Sequence, residues 1–229
     1  SSSDLAVDDA NGQHLVYVHT ETLLPPDPDG NTNPTSAVYR YCASACDKAQ
    51  NWSSVTLGEA VSEVQVGVNA DGKPSARIVL LKGLENDRFI FYTNYQSKKG
   101  RELDNNPACA LTFFWPELER QVRVEGIASR VDPEVSDLYF KSRPRESQMG
   151  AWASPQSTLI GSRNILEERF REIEKKFDGH PVLPRPHQWG GYQIEPFEIE
   201  FWQGGPGRLH DRINYVRVDG DWKIYRLAP

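Results

Sequence analysis

The feature that most constrains this chain is a pair of strand-like segments set around an Asp-Gly turn. Val61-Ser62-Glu63-Val64-Gln65-Val66-Gly67-Val68 places an apolar residue at roughly every second position, Asp71-Gly72 follows, and Ala76-Arg77-Ile78-Val79-Leu80-Leu81 is the second segment. A repeat of two is that of a pleated strand, whose side chains alternate between faces. Asp-Gly supplies the backbone freedom that a hairpin turn requires. More strands follow in series: Arg88–Thr93, Ala108–Trp115, Arg120–Ala128, Trp189–Ile194, Ile199–Trp202 and Trp222–Tyr225. There is no alternation of strand and helix, and no glycine fingerprint of a dinucleotide-binding unit. The expected fold is therefore mainly β with helices (α+β), a single β-barrel domain with helical decoration.

Three helices are expected within this framework. Ser97 can cap one that runs through Leu103, with Lys98 and Lys99 in its first turn. Asp132-Pro133 begins another, with Asp as N-cap and Pro at the first helical position. Ser162 can cap the longest, in which Leu166, Phe170, Ile173 and Phe177 form an apolar stripe. Before the hairpin, residues 1–35 are rich in Asp, Pro, Asn, Thr and Ser and read as an extended arm; residues 36–50 are expected to form a short helix.

Composition narrows the function. Only 38% of the residues are hydrophobic, but six Trp, nine Tyr and nine Phe supply large apolar bodies for a core. The formal charge of −6 argues against general binding of nucleic acid or an anionic membrane. No apolar run approaches the roughly 18 residues of a membrane helix. The three cysteines, Cys42, Cys46 and Cys109, are too few and odd in number for a disulfide framework. The five histidines are scattered, so no metal site is expected. The chain opens Ser1-Ser2-Ser3-Asp4 with no starting Met and no signal pattern. A processed terminus and a reducing compartment are expected: the cytoplasm, or an organelle matrix had an address been removed.

Within this acidic chain, cations gather in four places. They are Arg77 to Lys82, Ser97-Lys98-Lys99-Gly100-Arg101, Tyr139 to Gln148 with Lys141, Arg143 and Arg145, and Gly204 to Arg212 with Arg208, His210 and Arg212. Each alone is compatible with a solvated charged turn. A helix start with lysines can seat a phosphate, and guanidinium groups pair with phosphate through two hydrogen bonds. Arg77 and Lys82 are five positions apart and face opposite ways unless a bulge intervenes. Together the four clusters favour a site for phosphorylated small molecules, with two phosphates accounting for more of them than one. There is no Ser-His-Asp arrangement, zinc pattern or phosphate-binding P-loop.

At these same residues the sequence resembles the pyridoxine (pyridoxamine) 5′-phosphate oxidase family. The matching stretches are Gly72 to Lys82, Phe91-Tyr92-Thr93-Asn94-Tyr95, Glu119 to Gly126, Tyr139-Phe140-Lys141-Ser142-Arg143-Pro144, Gln148 to Ser154, Trp189-Gly190-Gly191, Phe201-Trp202-Gln203-Gly204, Arg208-Leu209-His210-Asp211-Arg212 and the terminal Arg226-Leu227-Ala228-Pro229. The resemblance covers about residues 55–229, leaving 1–54 as an N-terminal arm. It implies a homodimer of antiparallel split β-barrels with FMN at the interface. It implies a flavin-binding set of Arg77, Ile78, Val79, Leu80, Leu81, Lys82, Tyr92, Thr93, Lys98, Lys99, Gln121, Gln156, Ser157, Trp202 and Arg212. The substrate-phosphate set would be Lys82, Tyr139, Arg143 and Ser147, and Arg208 and His210 would lie over the pyridine ring and serve catalysis. The implied reaction oxidises pyridoxine or pyridoxamine 5′-phosphate to pyridoxal 5′-phosphate with O2, giving H2O2, and NH3 from the amine. In the N-terminal segment that closes over substrate in the family, this chain offers Tyr17 but no matching Arg, and Glu59 stands where an acidic residue near the site is expected. The alternatives are a non-catalytic carrier or sensor of FMN or pyridoxal phosphate, and another split-barrel flavin reductase.

Overall fold

The computed structural model describes residues 17–21, 36–42, 52–57, 63–69 and 71–229. Among the described residues three strands precede the hairpin: β1 (Tyr17–Glu21), β2 (Ser36–Cys42) and β3 (Trp52–Leu57), paired antiparallel in that order. Here the structure corrects the expected helix over 36–50. Residues 36–42 form a strand, for which Val38, Tyr39 and Tyr41 are the fitting residue types, since β-branched and aromatic side chains suit a pleated surface. The rest of that segment, the remainder of the N-terminal arm and Glu59 lie outside the described residues.

The hairpin forms, but its second strand runs over Pro74–Val79 rather than through Leu81. β4 (Glu63–Val68) pairs with β5 (Pro74–Val79) in register Val68 to Pro74. Its turn is longer than Asp-Gly alone. The Asn69 side chain accepts hydrogen bonds from the Asp71 and Lys73 amides, and Gly72 takes a φ of +79°. β6 (Leu81–Glu85) then turns away from β5 at the unpaired Leu80 and pairs with β7 (Arg88–Asn94). The main sheet has nine strands and runs β12-β11-β10-β9-β8-β4-β5, with β7 on β10 and β6 on β7. The added strands are β8 (Ala108–Trp115), β9 (Arg120–Arg130), β10 (Trp189–Gln203), β11 (Asp211–Val218) and β12 (Asp221–Arg226).

The long strand β10 organises the domain. The sequence pattern suggests two strands here, broken at Glu195-Pro196; the structure has one strand of 15 residues with a bulge between Pro196 and Glu198. β9 follows one edge of it. The other edge is shared, because Trp189–Ile194 pair with β7 and Glu198–Gln203 pair with β11. Proline cannot donate to a ladder, so the change of neighbour falls at the position least able to keep one. The sheet thereby divides into a half-barrel, an antiparallel split-barrel arrangement with helices beside it.

Apolar residues from both halves close over one core that includes Phe91, Leu111, Val124, Ile194 and Tyr215. Full burial of each such side chain is worth about 1.5–3 kcal/mol. Among the described residues four helices accompany the sheet: α1 (Lys98–Asn105), α2 (Pro133–Ser142), α3 (Arg145–Ala153) and α4 (Arg163–Lys176). The expected starts hold at Ser97, whose hydroxyl accepts from the Gly100 amide, and at Asp132 and Ser162. The short α3 was not anticipated. A second core joins Phe140, Phe177, Leu183 and Trp189, and so docks α2–α4 onto the first residue of β10. Among the described residues no helix is long and apolar enough to cross a membrane.

Candidate active site

A cleft of about 740 Å³ opens where the β5–β6 corner, β7, α1 and the α2–α3 junction meet the start of β10. The corner contributes Ile78, Val79, Leu80 and Lys82. Lys82 reaches the cleft because it is the extra residue of a bulge: Leu81 pairs with Phe91, but Gly83 pairs with Ile90. β7 adds Tyr92, Thr93 and Asn94; α1 adds Lys99; the α2–α3 junction adds Tyr139, Ser142, Arg143, Pro144 and Ser147; beyond α3 come Ser154 and Gln156. Two separated stretches, β7 and the segment after α3, converge on Lys99. Its Nζ donates to Thr93 Oγ1 at 2.7 Å, and the Thr93 hydroxyl donates to Gln156 Oε1 at 3.2 Å.

The electrostatics of the cleft are one-sided. Among the described residues its charged lining is Lys82, Lys99 and Arg143, with no carboxylate. Lys99 is 8% exposed. Burial lowers its ammonium from 10.5 to about 8; the Arg77 guanidinium adds to the fall and Glu102 opposes it. Burial also lowers the Arg143 guanidinium. Its Nη1 is buried and has no hydrogen-bond partner. The rings of Tyr92, Tyr139 and Trp189 lie nearly parallel beside it, Tyr92 and Tyr139 being 3.9 Å apart between centroids. Burial raises the Tyr92 phenol to about 12. Ser147 stands in the first turn of α3, where helical N–H groups are unpaired within the helix and favour negative charge.

Arg77 lies beside the cleft rather than in its lining. It donates to Glu102 Oε2 at 2.8 Å, to Gln65 Oε1 at 2.8 Å and to Ser75 Oγ. Lys98 projects to solvent, 3.8 Å from Glu102. Leu81 packs against the core, and Ser157 follows Gln156 with a φ of +64°. Glu102 and Trp189 were not singled out from the sequence as site residues. The signal for Glu102 was its place four residues after Lys98 on one helix face; Trp189 carried no signal apart from its motif.

The other expected residues form a second cluster. Gln121 on β9 pairs with Trp202 on β10, and Trp202 with Arg212 on β11. Arg212 donates through Nε and Nη2 to both oxygens of Glu200, each at 2.9 Å, and Arg123 binds Glu200 at 2.9 Å from the other side. The Arg212 hydrogen bonds, with Arg123 beside them, outweigh burial and hold the Glu200 carboxyl below its ordinary range. The rings of Trp202 and His210 are 4.7 Å apart, and the Gly205 amide donates to His210 Nδ1 at 3.2 Å. Gly207 and Arg208 both take positive φ, 63° and 64°, so the turn carries Arg208 out to solvent. Trp189 and Trp202 stand at opposite ends of β10. At about 3.3 Å per strand residue that is roughly 40 Å, too far for one small ligand to touch both clusters of the same chain. Among the described residues, no group of three or more His, Cys, Asp or Glu is placed to hold a metal ion.

Comparison with known proteins agrees with this architecture. Residues 66–177 match the family described as pyridoxamine 5′-phosphate oxidase, and residues 189–229 match the pyridoxine 5′-phosphate oxidase C-terminal dimerisation region. A pyridoxine/pyridoxamine 5′-phosphate oxidase of Cupriavidus metallidurans is 46% identical over 222 residues, which is 96% of this chain and 98% of the relative. One from Salinibacter ruber is 56% identical over 161 residues, covering 69% and 75%. Among solved structures, PhzG from Burkholderia lata in complex with tetrahydrophenazine-1-carboxylic acid superposes with a TM-score of 0.70 at 31% identity, covering 75% of this chain and 84% of that one. A pyridoxamine 5′-phosphate oxidase-related, FMN-binding protein of Nostoc punctiforme, 18% identical with a TM-score of 0.58 and coverage of 73% and 87%, shares the fold. This chain belongs to the pyridoxamine 5′-phosphate oxidase family, a family of oxidoreductases.

Proposed function

We propose that the protein oxidises pyridoxine 5′-phosphate and pyridoxamine 5′-phosphate to pyridoxal 5′-phosphate, with FMN as its cofactor and O2 as the final acceptor. The observation that carries this reading is the cleft, lined among the described residues by three cations and no carboxylate, in which one nitrogen of the Arg143 guanidinium is buried without a partner. A buried donor left unpaired costs about 1–3 kcal/mol, more when charged, and a phosphate oxygen would satisfy it. A phosphorylated ligand therefore fits the residues present, as does a flat ring beside Tyr92, Tyr139 and Trp189.

In this reading Lys99, with Thr93 and Gln156, and the corner Ile78 to Lys82 hold FMN. Lys82, Tyr139, Arg143 and Ser147 hold the substrate phosphate. Bound FMN would supply the two-electron acceptor that O2 regenerates. Overall, the substrate alcohol loses two electrons and two protons to become an aldehyde, and O2 takes both to become H2O2. The amine loses the same and then adds water to release NH3. Binding through the remote phosphate fixes the substrate ring in a reactive pose. His210 accepts the Gly205 N–H at Nδ1, which leaves Nε2 as the ring nitrogen able to donate. Arg208 would steady charge that develops at the reacting carbon.

Because the two clusters stand at opposite ends of β10, we propose that each complete site takes Gln121, Trp202, Arg208, His210 and Arg212 from a second copy of the chain. The match of residues 189–229 to a dimerisation region supports a homodimer. Turnover of pyridoxine 5′-phosphate under air tests the function: peroxide and aldehyde should form in equal amounts. A flavin-loaded protein that forms neither is a carrier, and a flavin-loaded active monomer in sedimentation would refute the shared site.

A further inference from the structure

Arg143 differs from three other half-buried arginines, each of which is paired with a carboxylate. Arg77 is paired with Glu102, Arg185 with Asp137 and Arg212 with Glu200. Among the described residues no carboxylate pairs with Arg143. What it has instead is aromatic: its Cζ lies 4.6 Å from the centroid of the Trp189 ring and 5.8 Å from that of Phe140. The Trp189 ring is itself held on every side. It stacks on Tyr92 at 5.5 Å and 10°, is near-parallel to Tyr139 at 7°, and takes the edge of Phe140 at 5.2 Å. Its backbone is pinned too, since its carbonyl accepts from Arg185 Nη1 at 2.6 Å and its amide donates to the Pro186 carbonyl at 3.0 Å.

We propose that Trp189 is the positioning residue of the substrate-phosphate seat: its π face holds the Arg143 guanidinium where a carboxylate would otherwise do so, which leaves the N–H edge free for a phosphate dianion. The proposal rests on the phosphate-seat reading given above. The physical reason is that a ring attracts the face of a guanidinium, whereas a carboxylate occupies its edge. A carboxylate partner would have to be displaced by each incoming phosphate; a ring does not. Trp189 thus sets discrimination between phosphorylated and unphosphorylated ligands, acting through Arg143.

The test uses the flavin-loaded protein and two ligands that differ only in the phosphate, pyridoxal 5′-phosphate and pyridoxal. The readout is the ratio of their dissociation constants. Trp189→Leu should shrink that ratio about tenfold, and Trp189→Phe, which keeps a ring with a weaker π face, about threefold. In an Arg143→Met background, Trp189→Leu should change the ratio no further, because the residue it acts through is gone. If both Trp189 variants weaken the two ligands by the same factor, the residue merely packs and the proposal falls. Trp189→Phe keeps an aromatic ring in the packed position, so it decides the matter even where the leucine variant does not fold. Should Arg143→Met itself leave the ratio unchanged, the phosphate-seat reading is what fails.

Discussion

Raising the pH should strip flavin from this protein while making the flavin-free protein more stable. Both effects come from Lys99. Its ammonium is buried in the cleft, donates to Thr93, and is lowered from 10.5 to about 8 by burial first and Arg77 second. The folded-state value lies below the unfolded one, so the buried charge costs stability below pH 8 and that cost is relieved between pH 8 and 10.5. Flavin binding has the opposite slope. The phosphate of FMN is a dianion throughout this range, and a dianion beside the ammonium restores it toward its ordinary value. At pH 9 about one free molecule in ten carries the Lys99 charge, so affinity should fall about tenfold between pH 7 and 9. The tyrosines lining the cleft titrate above this window, Tyr92 at about 12 and Tyr139 above its usual value. Quenching of flavin fluorescence on binding measures the dissociation constant at each pH. Lys99→Met should weaken binding at pH 7 by about 10–150-fold, the worth of a charge-assisted contact of roughly 1.5–3 kcal/mol, and should flatten the pH dependence. A wild-type dissociation constant that stays level from pH 7 to 9 would refute the assignment of Lys99 to the phosphate.

Three further outcomes follow from the same geometry. Arg208→Met should leave flavin bound and lower kcat/KM by about 10²-fold, or about 2.7 kcal/mol, with the rate of anaerobic flavin bleaching falling alongside; unchanged bleaching would make Arg208 a surface charge only. Arg77→Met leaves Glu102 buried without its guanidinium partner, so thermal melting should report a loss of about 3–5 kcal/mol that Arg77→Met/Glu102→Gln partly restores; equal melting of wild type and the single variant would show that the pair is not structural. Gly100→Ala would drive a Cβ into the Tyr95 carbonyl at the start of α1, so flavin content and melting temperature should drop together, with about 1–3 kcal/mol of overpacking; a normal melt with full flavin would contradict that packing.

The sequence by itself determined the local elements and motivated the proposal of a phosphorylated ligand. Alternation around Asp71-Gly72 specified the β4–β5 hairpin, and Ser97, Asp132 and Ser162 marked the helix starts, because strand periodicity, turn residues and caps act over a few positions. Clusters of cations in an acidic chain pointed to phosphate, because charge needs a reason to concentrate. What no local pattern could decide was the joining of distant segments. Whether Glu195-Pro196 ends a strand or only bulges one depends on β7 and β11 sharing an edge of β10. Whether Arg77 faces the cleft or an ion pair depends on where α1 sets Glu102. Lys82 enters the cleft through a bulge invisible in the sequence, and Trp189 meets Arg143 only because α2 packs on the start of β10. The expected site residues also separate into two clusters about 40 Å apart along β10, a distance set by strand rise and sheet register. Side-chain partners across long stretches of chain are chosen by packing, and packing is decided by the tertiary structure.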